Sequence, residues 1–596
     1  MRSSTRLRAG LSEAIPRAQE RVLARQGPTG AWAGENDQGP MCTAVVLVLE
    51  RFLGILDPAD ATASVRWLRS RQFSDGSFAD NAFSPEGEFN ATCYVVAGLR
   101  AAGVPDSDPA AGRAWAFLQR HGGLERARMD TRLYLAMVGL VDARTIPVPP
   151  WFLHLKLVPG LERLSVRFVA SWVPLWLNIL PALARGLRQP DRGGALFALE
   201  RARVARYLGE RQNPDGSWYG TTVPTVLGLA AARALGLPAD DPLLARGISR
   251  IGAWKIRDAA GLRVPIFTSE VWDTTFAIES LLDSGLPTDH PALVGGVDFL
   301  LGEQSRIPLP EDLQNPRKGS SRVGGWTFGA GNPLYPDCDD TAVVLAALGP
   351  FLRVKDSGRI RGPFRRGLGW LLGMQNRDGG WPAFTRGHRS KKPGPLPRGP
   401  FSELQDHSAE GITGRVLLAL GRAGWTAPNP VVRRALSFLR RQRDRNGAWW
   451  GRFLVNYLPE SACVLRGARA VGEDPRRPYL REALGWMVSR QNPDGGWGEA
   501  VESYDDAREA GRGRSTPSIT AHVLLALVDC GEARSPAALR ASSFLLERQD
   551  PGGGWQDLQV QGVAVHSLSL YFYNDVWADV LALRALARLR AALDRA

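Results

Sequence analysis

The chain has 596 residues, 44% of them apolar and 22% charged, with five scattered cysteines and a net charge of +14. At about 100–200 residues per domain this length holds several domains or two large ones, and the composition is too apolar for disorder. Without a close CxxC pair the cysteines exclude a disulfide scaffold and a thiolate zinc site, and they fit a reducing, cytoplasmic compartment. Only 6 of the 74 basic residues are Lys, and the basic residues run along the whole chain with no nucleic-acid-binding signature among them. The charge therefore points to an anionic membrane surface, an anionic substrate or a bias toward Arg, and no nucleic acid is expected. Trp supplies 19 residues, close to the 21 Phe and ahead of the 10 Tyr.

In chain order, residues 1–25 are Arg-rich and lack the apolar stretch of a secretory signal. Residues 4–14 are expected to form a helix able to pack on either domain. One frame then returns along the chain: Gln, three residues, Gly, one residue, Trp or Phe. It occurs at Gln26–Gly30–Trp32, Gln72–Gly76–Phe78, Gln212–Gly216–Trp218, Gln375–Gly379–Trp381, Gln491–Gly495–Trp497 and Gln549–Gly553–Trp555. A seventh copy, Gln442–Gly447–Trp449, carries one extra residue. Upstream of each copy lies a segment with apolar residues at helical spacing, an Asn-Pro-Asp-Gly type turn stops it, and another apolar helix follows. The Gln is expected to cap backbone groups of a neighbouring helix with the Trp stacked in the same corner, a structural pin. Strand signals are scarce. The fold class is therefore all-α, paired helices closed into two α/α-barrel (toroid) domains. Copies are absent between Phe78 and Gln212 and between Trp218 and Gln375. A boundary near 265–270 splits them into two groups and predicts domains over 16–269 and 270–596, with the N-terminal helix (1–15) assigned to the second.

Residues 168–184 form the longest uncharged apolar run, 17 residues interrupted by Pro174, Asn178 and Pro181. A spanning helix needs about 20 apolar residues, so this run reads as a buried or interfacial helix. Residues 386–400 are basic and rich in Pro and Gly, a surface loop carrying Arg389, Lys391, Lys392 and Arg398. Between these lies Tyr335-Pro336-Asp337-Cys338-Asp339-Asp340-Thr341-Ala342, three carboxylates within four residues just ahead of an apolar helix. One Asp suffices for an N-cap. Three crowded carboxylates repel one another, so at least one should keep its proton at neutral pH and be able to protonate a base as poor as an alkene.

The Asp-Cys-Asp-Asp-Thr-Ala stretch and the Gln/Gly/Trp frame resemble the squalene–hopene cyclase family of class II terpene cyclases. So do Ser269-Glu270-Val271-Trp272-Asp273-Thr274, the stretch from Gln491 to Glu499, Ser503-Tyr504 and Gly513-Arg514-Ser515-Thr516-Pro517-Ser518. The similarity runs over most of the chain from about residue 25, with the motifs in the family's order. The resemblance implies two α-barrels with an apolar cavity between them, and a linear isoprenoid substrate, squalene or a relative, cyclised without cofactor or metal. Asp339 matches the family's proton donor, and Asp337 and Asp340 match its flanking carboxylates. Trp172, Trp272, Phe384, Phe453, Tyr457 and Tyr573 sit where the family places cavity aromatics, able to stabilise a travelling cation.

The departures are also informative. Arg415 stands where the family has a His that hydrogen-bonds the acidic Asp. As an always-charged carboxylate partner it would acidify that carboxyl and make its re-protonation harder. An aromatic expected near Ala330-Gly331-Asn332 is missing, and a Phe-rich turn is replaced by Gly562-Val563-Ala564-Val565-His566. Both changes imply fewer stabilised late cations, hence a shorter substrate or an earlier stop than a pentacyclic hopanoid. Residues 188–203 lack the family's longer membrane-dipping segment. Asp505-Asp506-Ala507-Arg508-Glu509 imitates a metal-binding motif of ionisation-type synthases but reads as an acidic loop. Two other readings stay open: the same chemistry on a prenyl diphosphate or prenylated aromatic, and a non-catalytic isoprenoid-binding scaffold. The expected location is the cytoplasm, with peripheral attachment to the inner membrane face and a homodimer both left open.

Overall fold

The computed structural model describes residues 2–147, 172–188, 195–308, 316–354, 357–387, 405–565 and 570–595. In chain order its α-helices are α1 (Arg2–Ala24), α2 (Met41–Leu53), α3 (Pro58–Arg69), α4 (Phe89–Ala101), α5 (Pro109–Arg120), α6 (Met129–Met137), α7 (Trp172–Arg188), α8 (Ala195–Arg211), α9 (Thr222–Ala234) and α10 (Pro242–Trp254). They continue as α11 (Glu270–Asp283), α12 (Pro291–Gly302), α13 (Cys338–Leu348), α14 (Gly358–Gly373), α15 (Glu410–Arg422), α16 (Pro430–Gln442), α17 (Tyr457–Ala470), α18 (Pro478–Ser489), α19 (Pro517–Asp529), α20 (Pro536–Arg548) and α21 (Trp577–Asp594).

Neighbouring contacts close two rings. Helices α2, α4, α6, α7 and α9 pack in that order, and α9 returns to α2. Helices α11, α13, α15, α17, α19 and α21 do the same, with α21 returning to α11. Every inner helix but α6 carries a partner helix on its outer side, and α1 fills the outer position next to α21. The inner helices are largely buried; every residue of α13 is buried, its two carboxylates included. Outer helices are amphipathic, as in α16, where only Val432, Ala435, Leu436, Phe438 and Leu439 are buried. Most outer helices start on Pro behind an Asp, Asn, Ser or His cap, such as Asp57-Pro58, Asp241-Pro242 and Asn429-Pro430. The cap side chain accepts a first-turn amide, and Pro pre-sets the first helical φ.

The repeated frame is the joint between helix pairs. In the copy at Gln375, Nε2 donates to the Gly379 carbonyl (2.9 Å) and to the Val431 carbonyl on α16 (3.1 Å), while Arg434 donates back to Oε1. Trp381 sends its indole N–H to the Leu371 carbonyl (2.7 Å) and its amide to the Thr413 hydroxyl on α15 (3.1 Å). Gly379 takes φ +101°, and a Cβ there would lie 2.3 Å from the Arg434 carbonyl, so glycine is required twice over. The expected capping role of Gln is thus observed. The seventh copy, shifted by its extra residue, sends Arg443 to the Tyr479 carbonyl on α18.

An eighth copy was hidden in the sequence. Gln304 donates to the Gly324 and Pro363 carbonyls (both 2.8 Å), Arg366 donates back to it, and Trp326 bonds Leu300 and Thr341. An insertion between Gln304 and Gly324 breaks the spacing. The grouping of copies also differs from expectation. The Gln26 copy pins α12 and α11 of the second ring through Ala292 and Thr274, so six copies serve that ring and two serve the first. The cause is α1, which runs unbroken through the expected 15/16 division and packs as an outer helix of the second ring.

Short strands complete the fold. β1 (Asn36–Asp37) and β4 (Gly562–Val565) flank β5 (Leu570–Asn574), all antiparallel, and β2 (Ile256–Asp258) pairs with β3 (Gly261–Arg263).

Candidate active site

A cavity of about 230 Å³ lies where both rings contribute walls. Trp176 of α7 and Val223 of α9 come from the first ring, and Trp272 of α11 and the first turn of α13 from the second. Residues 266–268, Phe328, Phe384, 452–454, 563–565, Phe572 and Trp577 also line it.

The carboxylates enter on the N-terminus of α13. Asp337 is its N-cap, in extended conformation, accepting the Asp340 amide at 2.8 Å. The Asp337 amide donates to the Trp326 carbonyl (3.0 Å) and the Cys338 amide to the Ala383 carbonyl (2.8 Å), so the hidden eighth pin fixes this turn. Asp337, Asp339 and Asp340 are all buried and all line the cavity. Burial first, then the charge of Asp339, pushes Asp337 up to about 7, although its bonds to Asp340 pull the other way. Burial and the Asp337 carboxylate hold Asp340 well above the ordinary carboxyl range. The Asp340 Oδ1 atom has no hydrogen-bond partner. This turn can therefore keep a proton at neutral pH against an apolar space.

Asp339 has a different partner. Arg415 of α15 grips it with two bonds, Nε to Oδ1 and Nη2 to Oδ2 at 2.9 Å. The same guanidinium reaches the Cys463 sulfur (3.1 Å) and the Glu460 Oε1 (3.4 Å), and lies 5.8 Å from the Trp272 ring centroid. Burial would discharge Arg415, but Asp339 and Glu460 outweigh it and hold the guanidinium charged.

Of the aromatics expected in the cavity, Trp272, Phe384 and Phe453 line it. Tyr457 does not. It begins α17 on the side facing Trp486, Ala448 and Ala510, next to Asp444. Tyr573 does not either. Side chains alternate along β5, so Phe572 faces the cavity and Tyr573 packs edge-on against Phe83 at 5.1 Å. Trp172 opens α7, and its side chain lies outside the described residues, as do residues 388–400 of the basic loop and His566. The sequence missed Phe267, Phe328, Phe572 and Trp577, which pack edge-to-face and tilted around Trp272 with centroids 4.7–6.4 Å apart. Phe328 follows the hidden Trp326 by two residues and supplies an aromatic near the place where Ala330-Gly331-Asn332 lacked one. Asp406 was also missed. Fully buried, it accepts the amides of Ala383, Phe384 and Thr385 and the guanidinium of Arg452, and so positions Phe384. Asp505, Asp506 and Glu509 do not line the cavity, and the Asp506 carboxylate pairs with Arg508 at 2.6 Å.

A buried acid turn at one wall and aromatic faces on the others invite comparison with known proteins. The family profile for the squalene–hopene cyclase C-terminal domain matches residues 268–591, and that for the N-terminal domain matches 15–181. The chain belongs to the squalene–hopene cyclase family. Among its relatives, the squalene–hopene cyclase of Alicyclobacillus acidocaldarius is 33% identical, with 98% of each chain covered. The dammaradiene synthase of Dryopteris crassirhizoma is 30% identical over 98% of this chain and 94% of its own. The ent-copalyl diphosphate synthase of Streptomyces platensis shares the fold, with a TM-score of 0.55 at 19% identity over 99% of this chain and 100% of its own. As a squalene–hopene cyclase family member the protein is a terpene cyclase, an enzyme of the isomerase type in triterpenoid biosynthesis that opens polyene cyclisation of a linear isoprenoid with a proton. Among the described residues no helix is long and apolar enough to cross a membrane.

Proposed function

We propose that this cyclase acts on squalene or a closely related neutral linear isoprenoid, and that Asp339 delivers the initiating proton with Asp337 and Asp340 beside it. The observation that carries this reading is the cavity itself: three buried carboxyls on one wall, and mainly aromatic and aliphatic side chains on the rest. Arg452 is the one cationic side chain among the described residues lining it, and it is bound to Asp406. A diphosphate would need several cationic groups facing it, so the neutral substrate is favoured.

The chemistry follows from the geometry. The Asp339 O–H gives its proton to the terminal alkene, whose π electrons form the new C–H bond and leave a tertiary cation. Arg415 stabilises the carboxylate left behind through its two bonds. Each ring closure moves the cation along the folded chain. Trp272, Phe328, Phe384, Phe453, Phe572 and Trp577 offer it π faces worth about 0.5–2 kcal/mol each. Proton loss or water capture ends the cascade. Val563, Ala564 and Val565 present small aliphatic walls, so we read the product as carrying fewer rings than a pentacyclic hopanoid. We also assign two domains, divided at 269/270, and delivery of substrate from the anionic inner membrane face, favoured by the net charge of +14. Co-sedimentation with anionic and neutral vesicles tests the latter, and light scattering tests the homodimer.

The central experiment incubates purified protein with squalene, geranylgeranyl diphosphate or a polyprenyl phenol, with and without EDTA, and analyses the products by mass spectrometry. Cyclised squalene, unaffected by EDTA and abolished by Asp339→Asn, is expected. Product from the diphosphate alone, or an Asp339→Asn variant as active as the parent, overturns the reading.

A further inference from the structure

Arg415 holds one positive charge between two buried carboxylates. Asp339 on α13 takes the two-bond grip, and Glu460 on α17 accepts from the same Nη2 at 3.4 Å. Side-chain exposures are 5% for Arg415 and Asp339 and 1% for Glu460, so water screens none of them. The packing makes deliberate room for the second carboxylate. A Cβ on Gly411 of α15 would lie 1.2 Å from the Glu460 Oε2, and one on Gly451 would lie 2.3 Å from its Cγ. Glu460 is outside the cavity wall and so does not touch substrate.

Resting on the reading of Asp339 as the acid, we propose that Glu460 is a positioning residue for the proton transfer: as the second carboxylate on Arg415 it draws on that guanidinium's charge and so lets Asp339 take up the proton it must give. One arginine charge balances one carboxylate. The remaining proton belongs to the Asp339–Glu460 pair as a whole. With Glu460 ionised, Asp339 can be reloaded. When Asp339 has given up its proton, Arg415 turns its charge to the new carboxylate. Without Glu460, Asp339 would face the whole charge of the guanidinium alone. Burial raises the Glu460 carboxyl and Arg415 pulls it back, as befits a group that shares this proton.

The other charged and titratable groups around the pair are fixed in role. Asp337 and Asp340 flank Asp339 on α13. Cys463 of α17 is kept as a thiol by burial, and Arg466 on the same helix pairs with Asp529. His522 of α19 is pushed down to about 3 by burial and the neighbouring arginines, so it stays neutral.

The test measures kcat and KM for squalene against pH in the full-length enzyme. In Glu460→Gln the limb on which kcat falls with rising pH should move toward acid by about one unit or more, a rate about tenfold lower on that limb, with KM unchanged. Glu460→Asp, which keeps a charge but withdraws it, should shift the limb the same way by less, and it serves if the amide is not tolerated. In an Arg415→His background Glu460→Gln should produce a smaller shift, because its effect travels through the guanidinium. A profile in either soluble Glu460 variant that superimposes on the parent's, or an equal shift in both backgrounds, overturns the proposal. Asp339→Asn separates the two readings. If it is inactive while the Glu460 profiles are unchanged, only this inference fails; if it is active, the acid assignment itself fails.

Discussion

At the scale of single residues, the acid turn trades stability for chemistry. The Asp337 carboxyl titrates near 7 in the fold, against about 3.9 in an unfolded chain. The unfolded chain releases this proton first as pH rises, so stability falls from about pH 4 until the folded group has also ionised near pH 7. Asn caps a helix as well as Asp. Asp337→Asn should therefore raise the melting temperature at pH 8, by a gain on the order of 2 kcal/mol once the remaining carboxyl has relaxed, with the gain absent near pH 4. Calorimetry across that range checks it, with cyclase activity expected to fall. This turn was legible because its carboxylates are contiguous, and one helical turn must gather them whatever the tertiary fold. Tyr573 was misplaced because a strand sends neighbours to opposite faces, and a one-residue difference exchanges wall for exterior.

At the scale of elements, a close helix contact lies beside the acid. Helices α15 and α17 meet on glycine: a Cβ on Gly467 would stand 2.0 Å from the Gly414 carbonyl, and one on Gly414 would stand 2.8 Å from the Cys463 backbone. That approach brings Arg415 and Glu460 into one cluster. Gly467→Ala must push the helices apart. It should cost about 1–3 kcal/mol in urea unfolding and lower kcat more than it raises KM, since the Arg415–Asp339 grip is displaced. The pins were readable because each is a local turn with a fixed spacing. The eighth was not, since an insertion separates its two halves, Gln304 and Gly324, in the chain.

At the scale of the whole molecule, a buried ion network ties the second ring together. Arg584 of α21 grips Glu279 of α11, with one bond at 2.9 Å, and also reaches Asp283. Arg422 of α15 joins Glu279, while Arg466 and Arg588 meet at Asp529. Burial alone would raise the Glu279 carboxyl, but Arg584 and Arg422 outweigh it and the net shift is downward. A lowered carboxyl stabilises fully above its unfolded value of about 4.3, and the contribution is lost as pH falls through the folded value. Glu279→Gln should cost about 3–5 kcal/mol at pH 7, because it leaves buried arginines uncompensated. The difference from the parent should shrink below about pH 4. Thermal unfolding at both pH values checks it.

What the sequence determined alone was local and periodic: helices from apolar spacing, pins from a repeated turn, an acid turn from adjacent carboxylates, and the family from their order. Ring closure decided the rest. It brings α1 from the start of the chain against α21 at its end, pairs α15 with α17, and gathers Phe328, Phe572 and Trp577 from distant segments around Trp272 and Phe267. No window of sequence contains those neighbours, because the contacts that define them form only between helices already packed side by side.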